Sequence, residues 1–208
     1  MPKTPQRTEA DIRKILEANG CDQSRVNVVA IRGYYLDSMG RPGRNDRGIY
    51  DDAHFVLWPD GYASFQGNTD PSRYRKGRGY GRRKGMAVLK KGIHIYGKGS
   101  HRGTKAFRQC EKFTVIRDSS SGGYEDKGFH AINWHRGGYS GTSSLGCQTN
   151  PRSQFLNEIR PLIYSLLDRY RNPIKANDWK QKVPSFDYVL VEETDLRKNK
   201  LVVSQRYL

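Results

Sequence analysis

Short runs of β-branched and aromatic residues, most of them ended by a glycine-bearing or polar turn, recur from residue 26 onward and constrain the fold more than any other feature. They occupy 26–31 (VNVVAI), 53–58 (AHFVLW), 62–65 (YASF), 86–89 (MAVL), 93–96 (IHIY), 113–116 (FTVI) and 129–135 (FHAINWH). Runs this short suit strands rather than helices, and a series of them separated by Gly-rich turns predicts a β-sandwich or barrel-like core. The expected class is mixed α/β, β-dominated, with peripheral helices. Pro59-Asp-Gly61 between the second and third runs predicts a β-hairpin, with Asp-Gly supplying the positive φ of a tight turn. The Gly-, Arg-, Asp- and Asn-rich stretch 36–48 reads as a loop.

Two segments have helical periodicity instead. Thr8-Glu-Ala-Asp11 resembles a capping box ahead of Ile12, Ile15 and Leu16, and Asn19-Gly20 is a stop, which predicts a helix over 8–19. A stronger stripe, Phe155, Ile159, Leu162, Ile163, Leu166 and Leu167, follows Pro151 and predicts a helix over 151–171 that Pro161 bends. The runs 188–191 and 201–204, around a polar connection, predict a C-terminal hairpin spanning 185–205. At 208 residues the whole chain, 1–208, is expected to form one domain.

The formal net charge is +16, which makes a polyanionic partner the expectation: an anionic cell-wall polymer, nucleic acid or anionic lipid. The basic excess is densest in 73–91 (RYRKGRGYGRRKGMAVLKK), which holds no acid and reads as a basic loop region contacting an anionic polymer. No run reaches the length of a transmembrane helix, and MPKTPQRTEAD has no apolar signal core, so the chain is expected to be made in the cytoplasm without a recognisable signal peptide. The three cysteines, Cys21, Cys110 and Cys147, form no C-x-x-C pair. Cys21 and Cys110 read as small packed side chains.

Chemistry concentrates in 129–151, FHAINWHRGGYSGTSSLGCQTNP. A nucleophilic cysteine needs an imidazole within hydrogen-bond reach, and His135 with neighbouring Arg136 supplies base and cation for Cys147, which is then expected to react below pH 7. Gly146 allows a tight turn and close approach of a substrate carbonyl, where main-chain N–H groups hold an oxyanion. Thr142, Ser143 and Ser144 offer hydroxyls, Asn133 lies on the strand face of His135, and Tyr139 is a candidate substrate contact. Read as one strand, 129–135 puts His130 on the opposite face from His135, which argues against His130 as the base and against zinc bound by His130, His135, Cys147 and Asp126. His54, His94 and His101 show no partner pattern.

His135-Arg-Gly-Gly138 followed by Ser144-Leu-Gly-Cys147-Gln148 resembles the catalytic core of L,D-transpeptidases of the YkuD type, in which a strand ends in His-Gly and a loop leads to Ser-x-Gly-Cys. Leu145 stands where many members carry histidine, Gln148 replaces the usual continuation, and the loop from His135 to Ser144 is short. The pattern is also similar to small phage proteins, which implies a role in lysis or in the virion. The resemblance implies an L,D-transpeptidase-like fold and a cofactor-independent cysteine acyl-transfer enzyme directed at peptidoglycan, acting at the cell wall or periplasm. On it, Cys147, His135 and Gly146 are catalytic, and Arg136, Tyr139, Ser143, Ser144, Asn133 and Gln148 contact substrate. The rival expectation is a non-catalytic nucleic-acid-binding protein whose 73–91 segment contacts phosphates.

Overall fold

The computed structural model describes residues 3–77 and 84–202. Its strands are β1 (Asn27–Arg32), β2 (Asp52–Trp58), β3 (Gly61–Gly67), β4 (Ala87–Leu89), β5 (Gly92–His101), β6 (Thr104–Gln109), β7 (Phe113–Arg117), β8 (Tyr124–Gly128), β9 (Trp134–Arg136), β10 (Gln148–Asn150), β11 (Ile174–Ala176) and β12 (Lys182–Glu192). The main sheet runs β10-β9-β6-β5-β12-β1-β2-β3, with β11 added to β12. It curls until its two ends meet: Asn68, just after β3, and Thr149 of β10 exchange backbone hydrogen bonds of 2.7 and 2.8 Å. The result is a nearly closed, barrel-like, β-dominated fold with a few helices. A smaller antiparallel sheet, β4-β7-β8, stands beside it.

Helix α1 (Glu9–Ala18) begins at Thr8, whose hydroxyl accepts the Asp11 N–H at 3.2 Å, as the sequence predicts. Its apolar stripe, Ile12, Ile15 and Leu16, packs on the face of β1, β2 and β12 that carries Val29, Ile31, Phe55 and Val189. The alternate residues of the same strands, Val28, Ala30, Val56 and Tyr188, join the other core with Trp134 and Phe107. Both faces of β1 are thus covered, which is why its six residues are all buried.

The second helix covers that other core with Phe155, Ile159, Ile163, Leu166 and Leu167. It starts as α2 (Arg152–Gln154), passes through a π-wound turn at Phe155–Ile159 and continues as α3 (Arg160–Arg169). Pro161 has no N–H to donate back to residue 157, so the regular ladder cannot run unbroken past it, and the irregular turn lies just ahead.

Four expectations are corrected. The 53–65 hairpin exists, but Trp58 pairs with Gly61, so its turn is Pro59-Asp60, and Gly61 is not in a left-handed conformation. Glycine is needed there because a Cβ would lie 2.6 Å from the Trp58 ring. The 129–135 strand is broken: β8 ends at Gly128, β9 starts at Trp134, and Ala131 between them has φ 53°. No C-terminal hairpin forms in the described residues. β12 is already paired on both edges, with β1 and β5, and the chain leaves it through the short helix α4 (Glu193–Leu196); residues 203–205 lie outside the described residues. The basic 73–91 region is not the loop throughout that its charge suggested, since the strand expected at 86–89 forms as β4 at 87–89 with Met86, Ala87 and Leu89 buried; its tip, 78–83, lies outside the described residues.

Candidate active site

β9 and β10 are parallel neighbours, with Trp134 opposite Gln148 and His135 opposite Thr149. The Gln148 N–H donates to Asn133 O at 2.9 Å, so Cys147, one residue earlier, lies level with Asn133. His135 is two residues beyond Asn133, and side chains two apart share a strand face. The pairing therefore brings Cys147 and His135 to one side of the sheet, where both line a cleft of about 450 Å³ together with His101, His130, Ile132 and Leu145.

The turn before Cys147 is built by Ser144. Its hydroxyl donates to Cys147 O (2.7 Å) and accepts the Gly146 N–H (2.9 Å), while Ser72 and Thr142 hydroxyls meet at 2.6 Å beside it. Gly146 sits at φ +143°, and a Cβ there would collide with the Ala87 carbonyl of β4. The need for glycine is thus steric as well as conformational. Because Ser144 already takes the Gly146 N–H, that group is not free for an oxyanion, whereas the Cys147 N–H has no hydrogen-bond partner among the described residues.

Burial favours the uncharged form of both side chains. Burial pushes the Cys147 thiol up to about 11, against a smaller opposing pull from the Asn133 N–H and from Arg102 and Arg108. Its Sγ–H donates to Ala131 O at 3.4 Å. Burial also lowers His135 to about 4, helped by His101, Arg136 and Arg102. Burial thus favours the neutral form of each group, against the expectation of a thiolate below pH 7, and no hydrogen bond joins Cys147 Sγ to the His135 ring among the described residues. His135 Nδ1 bonds Arg136 O at 2.6 Å; a carbonyl only accepts, so the proton is on Nδ1 and Nε2 is left as the basic nitrogen.

The cleft is electropositive. Arg75, Lys84, Arg102, Arg117 and Arg136 line it, and among the described residues no carboxylate does. Asp126 pairs with Lys84 (2.6 Å) and Arg117 (3.0 Å). No carboxylate pairs with the guanidinium groups of Arg75, Arg102 or Arg136 among the described residues, although the Arg75 main-chain N–H donates to Asp118 at 3.0 Å.

Of the residues expected to contact substrate, Arg136 and Ser143 line the cleft. Ser144 is buried in the turn, and Gln148 is buried between Gly146 O and the Tyr188 hydroxyl. Asn133 is buried beneath His101, to whose Nδ1 its amide donates at 3.1 Å. Tyr139 is 91% exposed under the Arg152 guanidinium and lines a separate cleft across the 137–141 loop. Two histidines set aside in the sequence enter the site. His130 lines the same cleft as His135 because 129–133 is not a strand, although both its ring nitrogens are engaged, by Asp126 O (3.0 Å) and Arg117 (3.3 Å). His101 stacks on His135 with ring centroids 4.2 Å apart and planes within 1°. The missed signal for His101 was Arg102-Gly103: both have positive φ, the signature of a two-residue hairpin turn joining β5 to β6.

Among the described residues, no group of three or more His, Cys, Asp or Glu is arranged to hold a metal ion, and no helix is long and apolar enough to cross a membrane. Comparison with protein-family models, curated proteins and solved structures returns no match.

Proposed function

We propose that this chain is a cysteine acyl-transfer enzyme of the L,D-transpeptidase kind, with the corresponding fold, acting on stem-peptide amides of peptidoglycan at the bacterial cell wall. The observation that carries the reading is the β9–β10 pairing, which brings Cys147 and His135 to one cleft with a basic nitrogen left on the histidine. Because the pair is neutral at rest, the thiol proton passes to His135 Nε2 as Sγ forms its bond to the substrate carbonyl carbon. The oxyanion of the tetrahedral intermediate is held by the Cys147 N–H. Collapse breaks the C–N bond, His135 returns the proton to the departing amine, and a thioester remains on Cys147. Water then completes hydrolysis, or a second amine completes transpeptidation, with His135 again taking and returning one proton. The unpaired Arg75, Arg102 and Arg136 favour a substrate bearing carboxylates, which peptidoglycan stems supply. A role in phage lysis or in the virion is part of this proposal.

Incubation of the parent protein and Cys147→Ala with purified peptidoglycan, with fragments identified by mass, tests the reading. Cleaved or cross-linked stem peptides are expected with the parent alone, and identical products from both proteins refute it. One observation favours a second reading, non-catalytic nucleic-acid binding: Arg73, Tyr74, Arg75 and Lys76 are consecutive and exposed. DNA binding by a protein that leaves peptidoglycan unchanged would select it.

A further inference from the structure

The base of a cysteine or serine enzyme is usually oriented by a third group that fixes its ring. The only hydrogen bond of His135 Nδ1 among the described residues is to the carbonyl of the next residue, Arg136, which tethers the ring edge locally but leaves its plane to be set by packing. The packing partner is His101, from the far end of β5, parallel to His135 at 4.2 Å. His101 is itself fixed from beneath, because the buried Asn133 amide donates to its Nδ1 at 3.1 Å. With the amide N–H group turned to the ring, Nδ1 accepts and is unprotonated; an imidazolium would require the amide to turn over and present Oδ1, which has no hydrogen-bond partner in this orientation.

Resting on the reading of His135 as the base, we propose that His101 is its positioning residue: held by Asn133, its ring sets the plane of the His135 imidazole and keeps a second proton out of the pair. Two cations stacked this closely repel each other. The cations around the two rings are Arg102 at the β5–β6 turn, Arg136 beside His135 on β9, Arg108 on β6, which pairs with Asp178, and Arg75 and Lys84 across the cleft, where Lys84 pairs with Asp126. Cys147, the remaining titratable neighbour before β10, is neutral at rest, and His130 is engaged with Arg117 and Asp126. Both histidines are lowered from the ordinary value, burial being the main cause and the surrounding cations adding to it. A neutral stacked partner permits one proton, the one His135 takes from Cys147, without a competing charge. Asn133, Trp134 and His135 are consecutive, so the residue that holds His101 and the residue His101 holds come from the same short stretch of chain.

The test uses His101→Ala and His101→Phe in the full chain, with two readouts: the NMR titration of the His135 ring, which needs no substrate, and peptidoglycan turnover against pH. His101→Ala is expected to raise the His135 midpoint by about one unit or more, because one face gains water and loses a histidine neighbour. Its acid limb of turnover should move up with that midpoint, and its turnover at the plateau should fall by about tenfold or more. His101→Phe keeps a flat ring in the same place and is expected to restore plateau turnover to within about threefold of the parent. An unmoved His135 titration in His101→Ala overturns the proposal, as does a phenylalanine variant no better than alanine. Should the parent turn over no peptidoglycan while the titration shifts as stated, the functional reading fails and the coupling between the two rings stands.

Discussion

The neutral resting pair makes a quantitative claim about alkylation of Cys147. With its thiol pushed up to about 11, the thiolate fraction at pH 7 is about 10⁻⁴, against about 3% for a free cysteine near 8.5. That is a deficit of about 300-fold. A more basic thiolate is also the better nucleophile, and a Brønsted slope of about 0.45 over about 2.5 units returns roughly tenfold. Cys147 should therefore react with iodoacetamide at pH 7 about 20- to 30-fold more slowly than a free cysteine, before any hindrance from its buried position. Mass mapping of each cysteine across pH 6 to 10 gives the profile: the Cys147 rate is expected to climb about tenfold per pH unit without a plateau. Cys110, pushed by burial to about 12, is an internal comparator that should be slower still. His135→Ala should leave the midpoint for Cys147 nearly in place while abolishing turnover, since the imidazole acts in the transition state rather than on the resting thiol. A Cys147 plateau with a midpoint below pH 7, shifted upward by His135→Ala, would refute the neutral pair and restore a thiolate–imidazolium one.

Leu166→Ala should lower stability by about 2–5 kcal/mol in denaturant titrations, because Leu166 is buried under the sheet, and a loss below 1 kcal/mol would contradict that packing. Gly146→Ala should abolish turnover, since a Cβ meets the Ala87 carbonyl and the φ of +143° is strained for alanine; a fully active variant would show the turn to be adaptable. Burial lowers His94 to about 4, so it stabilises the fold fully above its unfolded value near 6.5 and progressively less as pH falls toward 4. Relative to His94→Gln, the parent should thus lose about 3 kcal/mol between pH 6.5 and pH 4, and parallel pH profiles would disprove this. Binding to cell wall or DNA should weaken steeply with salt and be reduced in a variant with Arg82, Arg83 and Lys84 replaced by Ser; unchanged affinity for both would remove the segment from the argument.

Local signals were legible where the chain decides its own conformation. Thr8 caps α1, the Phe155–Leu167 stripe faces the core, and the 53–65 hairpin forms. Misreadings arose where distant contacts decide. The 129–135 run has strand composition, yet Ala131 turns left-handed, and the Gln109 side chain takes the His130 and Ile132 N–H groups at 3.0 and 3.3 Å. β12 looked like half of a hairpin because its parallel partner, β1, lies more than 150 residues earlier in the chain. At the candidate site, the co-location of Cys147 and His135 in one cleft was readable from their closeness in sequence. His101 was not, because its stacking with His135 depends on the β6–β9 pairing as well as on the Arg102-Gly103 turn, and that pairing is encoded by no local pattern. Ser144 and Gln148 were assigned to substrate because polar residues near a nucleophile look available; their hydrogen bonds are spent inside the protein.

The meeting of Asn68 with Thr149 has a mechanical meaning. β10 is three residues long, gripped on one side by β9 and on the other by this pair of backbone hydrogen bonds, reinforced by the Asn150 amide on Gln66 O and the Asn68 amide on the Thr149 hydroxyl. It works as a clasp, and Cys147 is mounted one residue from it. Opening the clasp would require no melting of β1, β5 or β12, yet it would free the strand that aligns Cys147 with His135. Heat should therefore silence such a protein while most of its sheet is intact, and the Asn68 and Thr149 amides should exchange with solvent at the moment activity is lost.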